Sequence, residues 1–309
     1  MWPEPENKPL AVRVRVSLPA QTLELHDERG RLLRRYSVST AKNGAGEQSG
    51  SYCTPRGKHI IRAKVGAGDT RNTVFVKRRP TGEIWSPDLA AAQPERDWIL
   101  SRILWLSGRE PGKNRLGEVD TMRRFIYLHG SPDTVAMGTP GSIGCVRMRN
   151  SDIIELFDLV PAYTPVDIVE FAVEEGGWPQ VKVDARAVRE AVFVREQGVP
   201  LEMEWDKFDE PSRHVVARDP SGTAIGTGRL LQDGHIGRMA VLPAWRNKGV
   251  GRALLERLLE TAVAAGQRDL LLHAQTSATG FYRKFGFVEE GDEFMEAGIP
   301  HWLMRRTPA

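Results

Sequence analysis

Cysteine is almost absent, since 309 residues contain only Cys53 and Cys145. Two thiols cannot staple a small secreted scaffold, so a reducing compartment or a catalytic thiol is the better expectation, and each needs its own explanation. No apolar run approaches the roughly 18 residues of a membrane-spanning helix, which excludes a transmembrane span of that kind. Large charge imbalance is missing too. The 43 basic and 40 acidic residues leave a net +3, with a basic surplus up to Glu170 and a slight acidic surplus beyond it, too little and too scattered for a nucleic-acid surface. No cluster of histidine, cysteine and carboxylate has ligand spacing, so no metal is expected. Residues 1–16 are acidic and proline-rich where a secretory signal would be basic and then apolar, which predicts a cytoplasmic protein.

What is present reads as two ordinary globular units. The chain is about twice the usual domain size, with 40% hydrophobic and 27% charged residues. Residues 11–61 alternate apolar and polar positions (Val12, Val14, Val16; Leu23, Leu25; Val38) between glycine and proline breaks, the pattern of short antiparallel strands. Alternation returns at 73–76, 125–129 and 165–171, while 151–159 carry Ile153, Ile154, Leu156 and Phe157 at helical spacing. The first half is therefore expected to be mostly β. Residues 174–179, with their charge, two glycines and a proline, break the strand pattern and place a boundary near Val173, giving domains 1–172 and 173–309. Beyond it come a helix at 185–196, a strand pair around 223–226 and 236–242, a helix at 250–265, a strand at 270–274 and a helix ending near Phe285. That order predicts an α/β sheet with a β-loop-α crossover.

The first half holds a constellation suited to thiol chemistry. His129 ends a predicted strand, and Gly141-Ser142-Ile143-Gly144-Cys145-Val146-Arg147 follows. A cysteine nucleophile needs a base, oxyanion donors and close backbone approach; His129, the amides of Gly144 and Cys145, and the glycines flanking Ser142 offer these, with Ser142 itself on the oxyanion and substrate side. Arg147 suits a substrate carboxylate or a structural acid nearby. This pattern resembles the L,D-transpeptidase catalytic domain (YkuD-like) family over residues 10–170, including Thr54-Pro55-Arg56-Gly57. The resemblance implies Cys145 as nucleophile, His129 as base and the backbone of Gly130 or Ser131 as its orienting partner. It also implies peptidoglycan stem peptides as substrates, attacked through a thioester acyl-enzyme and then crosslinked or, by water, trimmed as in an L,D-carboxypeptidase. With no visible signal, soluble muropeptides are the preferred substrate. Ile143 stands where most members have histidine. The alternative for Cys145 is a buried structural thiol; Cys53, with only His59 near it, reads as a packing residue.

In the second half, Met239-Ala240-Val241 leads through Pro243-Ala244-Trp245-Arg246-Asn247-Lys248-Gly249 into Val250-Gly251-Arg252-Ala253. Unpaired amides at a helix start beside Arg246, Lys248 and Arg252 make a pyrophosphate site, and the glycine spacing fits neither a P-loop nor a dinucleotide fingerprint. The run is similar to the GNAT superfamily of N-acetyltransferases over residues 178–309, as are Phe281-Tyr282-Arg283-Lys284-Phe285-Gly286-Phe287 and Val192-Phe193-Val194-Arg195-Glu196-Gln197-Gly198-Val199. The resemblance implies acetyl-CoA as acyl donor, held by the backbone of Met239, Ala240 and Val241, by the amides of residues 247–253 and by Gln275. Tyr282 would protonate the departing thiolate, although a helix tyrosine can equally be core. His235 would be the base, or else an exposed turn histidine after Asp233-Gly234. Glu202, Glu204, Asp206, Asp209 and Glu210 could attract a cationic amine acceptor, but read better as a solvated acidic loop. The implied protein is a two-domain enzyme of cell-wall fragment metabolism, with an unidentified amine acceptor and no nucleic-acid partner. The alternative is an acetyltransferase whose first domain is a non-catalytic module binding cell-wall fragments.

Overall fold

The alternating valines of the N-terminal stretch become β1 (Val12–Ser17), whose Val14 and Val16 are wholly buried, as the period of two requires. Then follow β2 (Thr22–Asp27), β3 (Leu32–Ser37), β4 (Gly57–Val65), β5 (Thr73–Val76) and β6 (Arg79–Ile84). Next come a short helix α1 (Pro87–Ala92), β7 (Ile99–Gly108), β8 (Tyr127–Ser131), β9 (Val146–Arg149), α2 (Asn150–Leu159) and β10 (Pro165–Val169). These ranges come from a computed structural model that describes residues 11–307; residues 1–10, which begin the stretch behind the expected cellular location, lie outside the described residues. The chain divides into two units, one running to His26 and from Leu33 to Glu170, the other combining Asp27–Leu32 with Phe171 onward.

The first unit is mostly strand. Its strands join in the order β3-β2-β1-β10-β4-β7-β5-β6, with β8 added to β7 and β9 to β8. β1 and β10 run parallel, as do β8 and β9; the other pairs are antiparallel or close through hairpins. Val14, Val16, Leu23, Leu25, Ile61, Leu104, Leu106, Leu128, Val146 and Met148 form one core with Ile153, Leu156 and Phe157 of α2. The strand β7 carries no clean alternation because nearly all of it is buried, and a strand covered on both faces reads as a continuous apolar run. Residues 38–56, inside the stretch read as strands, instead form a loop tied by isolated bridges at Ser39, Ala41 and Ala45.

The second unit opens with β11 (Ala172–Gly177), so residues 174–177, read as a break, in fact pair along β12 (Arg213–Arg218). Pro179 falls in the first turn of α3 (Trp178–Arg189), where its missing N–H has no helical partner to lose. The helix expected at 185–196 thus begins earlier, and its last residues, Glu190–Glu196, form a π-helical turn. The chain continues through α4 (Leu201–Glu204), β13 (Ala224–Leu230), β14 (Ile236–Val241), α5 (Val250–Ala264), β15 (Leu270–Gln275), α6 (Thr279–Arg283), β16 (Val288–Glu296) and β17 (Ile299–Arg306). Two sheets result, β11-β12-β13-β14 and β15-β17-β16. Among the described residues no helix is long and apolar enough to cross a membrane.

The acidic loop is solvated only in part, with Glu202 and Glu210 exposed. Glu204 and Asp209 are buried because Arg189 of α3 meets Glu204 at 2.5 Å and Asp209 at 2.7 Å. Arg229 of β13 reaches Asp206 at 2.7 Å and Asp209 at 2.8 Å, and Arg238 of β14 reaches Asp206 at 3.2 Å. Three arginines from three elements thus hold the loop, and each buried charge depends on its partner to offset desolvation. Replacing Arg189 by alanine would leave buried Glu204 with only the longer 3.6 Å contact to Arg238 and Asp209 with Arg229, and is expected to lower stability by about 3–5 kcal/mol, read from urea unfolding of the full chain; a loss below about 1 kcal/mol would contradict the network's role.

Candidate functional sites

Pairing of β8 with β9 sets the first site. Leu128 lies opposite Val146 and His129 opposite Arg147, and register partners on neighbouring strands point to the same face. Leu128, Val146 and Met148 enter the main core. The alternate positions, Tyr127, His129, Cys145 and Arg147, therefore share the other face, so the sequence-predicted nucleophile and base come to one side of the sheet. His129 is fully buried and its Nδ1 lies 2.8 Å from the Gly130 carbonyl. A carbonyl only accepts, so Nδ1 carries the proton and Nε2 keeps its lone pair. That Nε2 is buried with no hydrogen-bond partner among the described residues. Burial holds the imidazole's pKa below its ordinary value, against the opposing pull of Asp97 and the Gly130 carbonyl, so it is neutral and able to accept a proton near pH 7.

Gly130 is obligatory in this arrangement. A Cβ there would sit 2.5 Å from Asn150 Oδ1 and 2.6 Å from the Leu100 carbonyl. Asn150 in turn donates to the Ser131 carbonyl at 2.8 Å and accepts from Ser101 at 2.6 Å, locking the end of β8 to the start of α2.

The thiol is not bonded to His129 at rest. Cys145 Sγ donates to the Phe125 carbonyl at 3.4 Å and accepts from the Tyr127 N–H at 3.4 Å. Burial pushes its pKa up to about 12, with Asp97 adding to the rise and the Tyr127 amide, Arg147 and Arg124 opposing it. Two expected substrate groups are engaged within the protein. Ser142 accepts from the Gly144 N–H at 3.2 Å and donates to the Cys145 carbonyl, so it braces the turn and occupies one amide expected to face an oxyanion. Arg147 pairs with Asp97 at 2.6 Å and donates to the Gly141 carbonyl at 3.0 Å, which favours the structural-acid reading of that residue. Ile143, in place of the usual histidine, is 57% exposed. Cys53 bonds to the Asn43 carbonyl at 3.3 Å, away from His59, which is tied to Gly57 and Thr121.

In the second unit, β14 and β15 run parallel but meet at one bridge, His235 to Leu271. Among the described residues no further ladder joins them toward Val241 and Gln275. The β13–β14 register shifts between Thr227 and Arg229, and Arg238 takes a positive φ of 51°; this bulge turns the backbone around Met239 out of regular pairing. Arg246 donates to the Val241 carbonyl at 3.0 Å and makes a two-pronged pair with Glu196 at 2.7 and 2.6 Å. Asn247 and Gly249 both have positive φ, 61° and 89°, and no side chain caps α5, so the turn bearing Lys248 leads into an uncapped helix start at Val250, Gly251, Arg252 and Ala253. Such a start suits an anion. Gln275 reaches Gln197 at 3.0 Å. Tyr282 is buried against Phe281 and Phe287, and burial pushes its pKa up to about 12. His235 stands at the closed end of the strand pair, its ring 4.9 Å from that of His273. Burial, and then His273, hold its pKa below the ordinary value.

Two family descriptions match this chain: an L,D-transpeptidase catalytic domain (YkuD) over residues 11–168 and an acetyltransferase (GNAT) domain over residues 180–308. The second unit is 41% identical over 127 residues to the "Uncharacterized N-acetyltransferase YjcF" of Bacillus subtilis, covering 40% of this chain and 90% of that protein. It is 36% identical over 129 residues to "Uncharacterized protein YyaT" of the same organism, covering 40% and 86% respectively. An acyl-CoA N-acyltransferase structure from Pseudomonas aeruginosa is 29% identical, with a TM-score of 0.41, over 44% of this chain and 99% of that one. The chain belongs to the YkuD and GNAT families, one in each unit.

Several residues of the YkuD site escaped the sequence reading. Asp97 lies 50 residues from Arg147 in a stretch without regular pattern, and Asn150 lies just before the helix expected at 151–159 and was not singled out. In the GNAT domain, Glu196 and Gln197 were quoted within a motif yet not assigned a contact, although they hold Arg246 and Gln275. His273, hydrogen-bonded to Glu296 at 3.0 Å, had no signal beyond its place in a strand.

The raised thiol pKa makes a directional prediction. Below its pKa a thiol is mostly protonated, and only the thiolate is nucleophilic. Cys145 in the free protein should therefore react with iodoacetamide more slowly than free cysteine at pH 7.5, and its rate should keep climbing above pH 9 where free cysteine levels off. Peptide mass spectrometry separates it from Cys53; a plateau near neutral pH would show a preformed thiolate instead.

Proposed function

We propose that the chain is a bifunctional enzyme acting on peptidoglycan-related substrates, with a cysteine L,D-transpeptidase or L,D-carboxypeptidase in the YkuD domain and an acetyl-CoA-dependent N-acetyltransferase in the GNAT domain. The observation that carries the first half is the His129 tautomer: a buried, unpartnered Nε2 lone pair on the sheet face that bears Cys145. In this reading the thiol turns from the Phe125 carbonyl toward Nε2, which takes its proton as sulfur attacks the peptide carbonyl. The C–N bond breaks, the leaving amine takes that proton from Nε2, and a thioester remains. Water then yields a carboxylate product, or an amine acceptor yields a new peptide bond.

For the acetyl transfer, the parting of β14 from β15 supports a pantetheine-binding cleft along Met239, Ala240 and Val241. The uncapped start of α5 with Arg246, Lys248 and Arg252 supports pyrophosphate binding, with Gln275 as a further contact. An acceptor amine, whose chemistry the site does not specify, attacks the thioester carbonyl, His235 takes its proton, and Tyr282 protonates the departing CoA thiolate. The burial that raises the Tyr282 pKa keeps it protonated for that role.

A second reading, acetylation alone with a binding-only YkuD domain, is favoured by the thiol pKa near 12 and by the exposed Ile143. One experiment separates the two. The full chain is incubated with a soluble tetrapeptide muropeptide and acetyl-CoA, beside Cys145→Ala and Tyr282→Phe variants, and the products are weighed by mass spectrometry. The bifunctional reading expects loss of the terminal D-alanine in the native protein and none in Cys145→Ala. It also expects acetyl addition to some amine, falling about 100-fold or more in Tyr282→Phe. Return of the peptide with its D-alanine intact would leave acetylation alone.

A further inference from the structure

Three guanidinium groups stand around the Cys145 face, and two of them are already engaged. Arg147 is paired with Asp97. Arg124 donates to the carbonyls of Gly46, Glu47 and Cys53 and to Ser51 Oγ. The third, Arg78, has no carboxylate partner among the described residues, and its surroundings are aromatic: it lies 4.4 Å above the Trp105 ring, 4.8 Å above Phe125, and donates to the Tyr127 hydroxyl at 3.0 Å. Phe125 and Tyr127 are the two residues whose backbone groups hold the Cys145 sulfur. Trp105 and Tyr127 pack in the same cluster as Cys145. The cation is thus carried to the nucleophile's own surroundings on three rings, without an anion.

The backbone that delivers it is unusual. Val76 pairs with Arg79, so Lys77 and Arg78 are the two central residues of the β5–β6 hairpin, and both have positive φ, 47° and 66°. Such a turn is normally made with Asn-Gly or Gly-Gly. Arginine there bears conformational strain, and the side chain, rather than the turn, accounts for its presence. A guanidinium matches a carboxylate in charge and in planar, two-pronged geometry.

We propose that Arg78 receives the terminal carboxylate of the peptide cleaved at Cys145, so that the YkuD domain selects peptides ending in a free carboxylate. This assignment rests on the peptidase reading above, and it moves the carboxylate-binding role from Arg147 to Arg78. Arg78 is a specificity residue that binds substrate; His129 and Cys145 carry the chemistry.

The test uses the full chain and two readouts. In the first, release of the terminal residue is measured from a stem tetrapeptide with a free C-terminus and from its C-terminal amide. The native protein should prefer the free acid by about tenfold or more. Arg78→Gln should lose that preference through a raised KM with little change in kcat, and Arg78→Lys should keep part of it. The second readout needs no turnover: the ratio of Cys145 alkylation by iodoacetate to that by iodoacetamide, at pH 9, resolved from Cys53 by peptide mass spectrometry. That ratio should fall about tenfold in Arg78→Gln and less in Arg78→Lys. An alkylation ratio unchanged by Arg78→Gln, or a native protein indifferent to the amide, would overturn the proposal. Absence of any released residue would instead overturn the peptidase reading, while the alkylation ratio would still decide whether Arg78 attracts an anion to Cys145.

Discussion

The parallel pairing of β8 with β9 is the constraint from which the YkuD site follows. Because Leu128 faces Val146 and His129 faces Arg147, one set of side chains enters the core while the alternate set, with Cys145 and His129, lies on the opposite face. A slip of one residue would exchange the two sets and bury Cys145 among Ile153, Leu156 and Phe157. The register is held from several directions: the apolar core on one side, the Asn150 bridge to Ser131, and the bond from Ser131 Oγ to the Met148 carbonyl at 3.0 Å. Gly130 is the narrowest point, since only a residue without Cβ leaves room for Asn150 while offering its carbonyl to His129.

Electrostatics then divide the two units in an instructive way. In the YkuD domain Cys145 and His129 are held neutral by burial, and of the three guanidinium groups near them Arg147 pairs with Asp97, Arg124 donates to backbone carbonyls, and Arg78 has no carboxylate partner among the described residues. In the GNAT domain charge closes on itself: Arg189, Arg229 and Arg238 against Glu204, Asp206 and Asp209. Arg238, at the β14 bulge, also belongs to that network, so the loop at 201–212 and the interruption in β14 are mechanically linked. Glu196 holds Arg246 and Gln197 holds Gln275, which means the π-helical turn and the residue after it order two of the groups expected to meet acetyl-CoA.

Much of this was readable in one dimension. The valines of β1 and the apolar spacing of α2 stand in the sequence because burial imposes a period of two or 3.6 on a local stretch. Cys145 and His129 were likewise singled out as candidates, as were Tyr282 and the turn at 246–253, since each lies in a short motif. The strand β7 was not, because burial on both faces removes the alternation that would reveal it. The β11 strand was hidden by glycines and glutamates that suit an edge position but resemble a break. The acidic loop looked solvated because the arginines that hydrogen-bond its carboxylates lie 15 to 32 residues away along the chain.

Sequence alone determined the two-unit plan, the strand-rich character of the first unit, the α/β character of the second and the residue types capable of the chemistry. These depend on composition and on periodicities within a few turns of chain. Which partner each charge takes was decided only in three dimensions. Among the described residues Arg147 takes Asp97, from a loop before β7, while Arg78, on a strained hairpin after β5, takes the Tyr127 hydroxyl and no carboxylate. The protonation of His129, the elevated thiol pKa and the neutrality of His235 are also tertiary properties, since they arise from burial and from neighbours that no local pattern specifies.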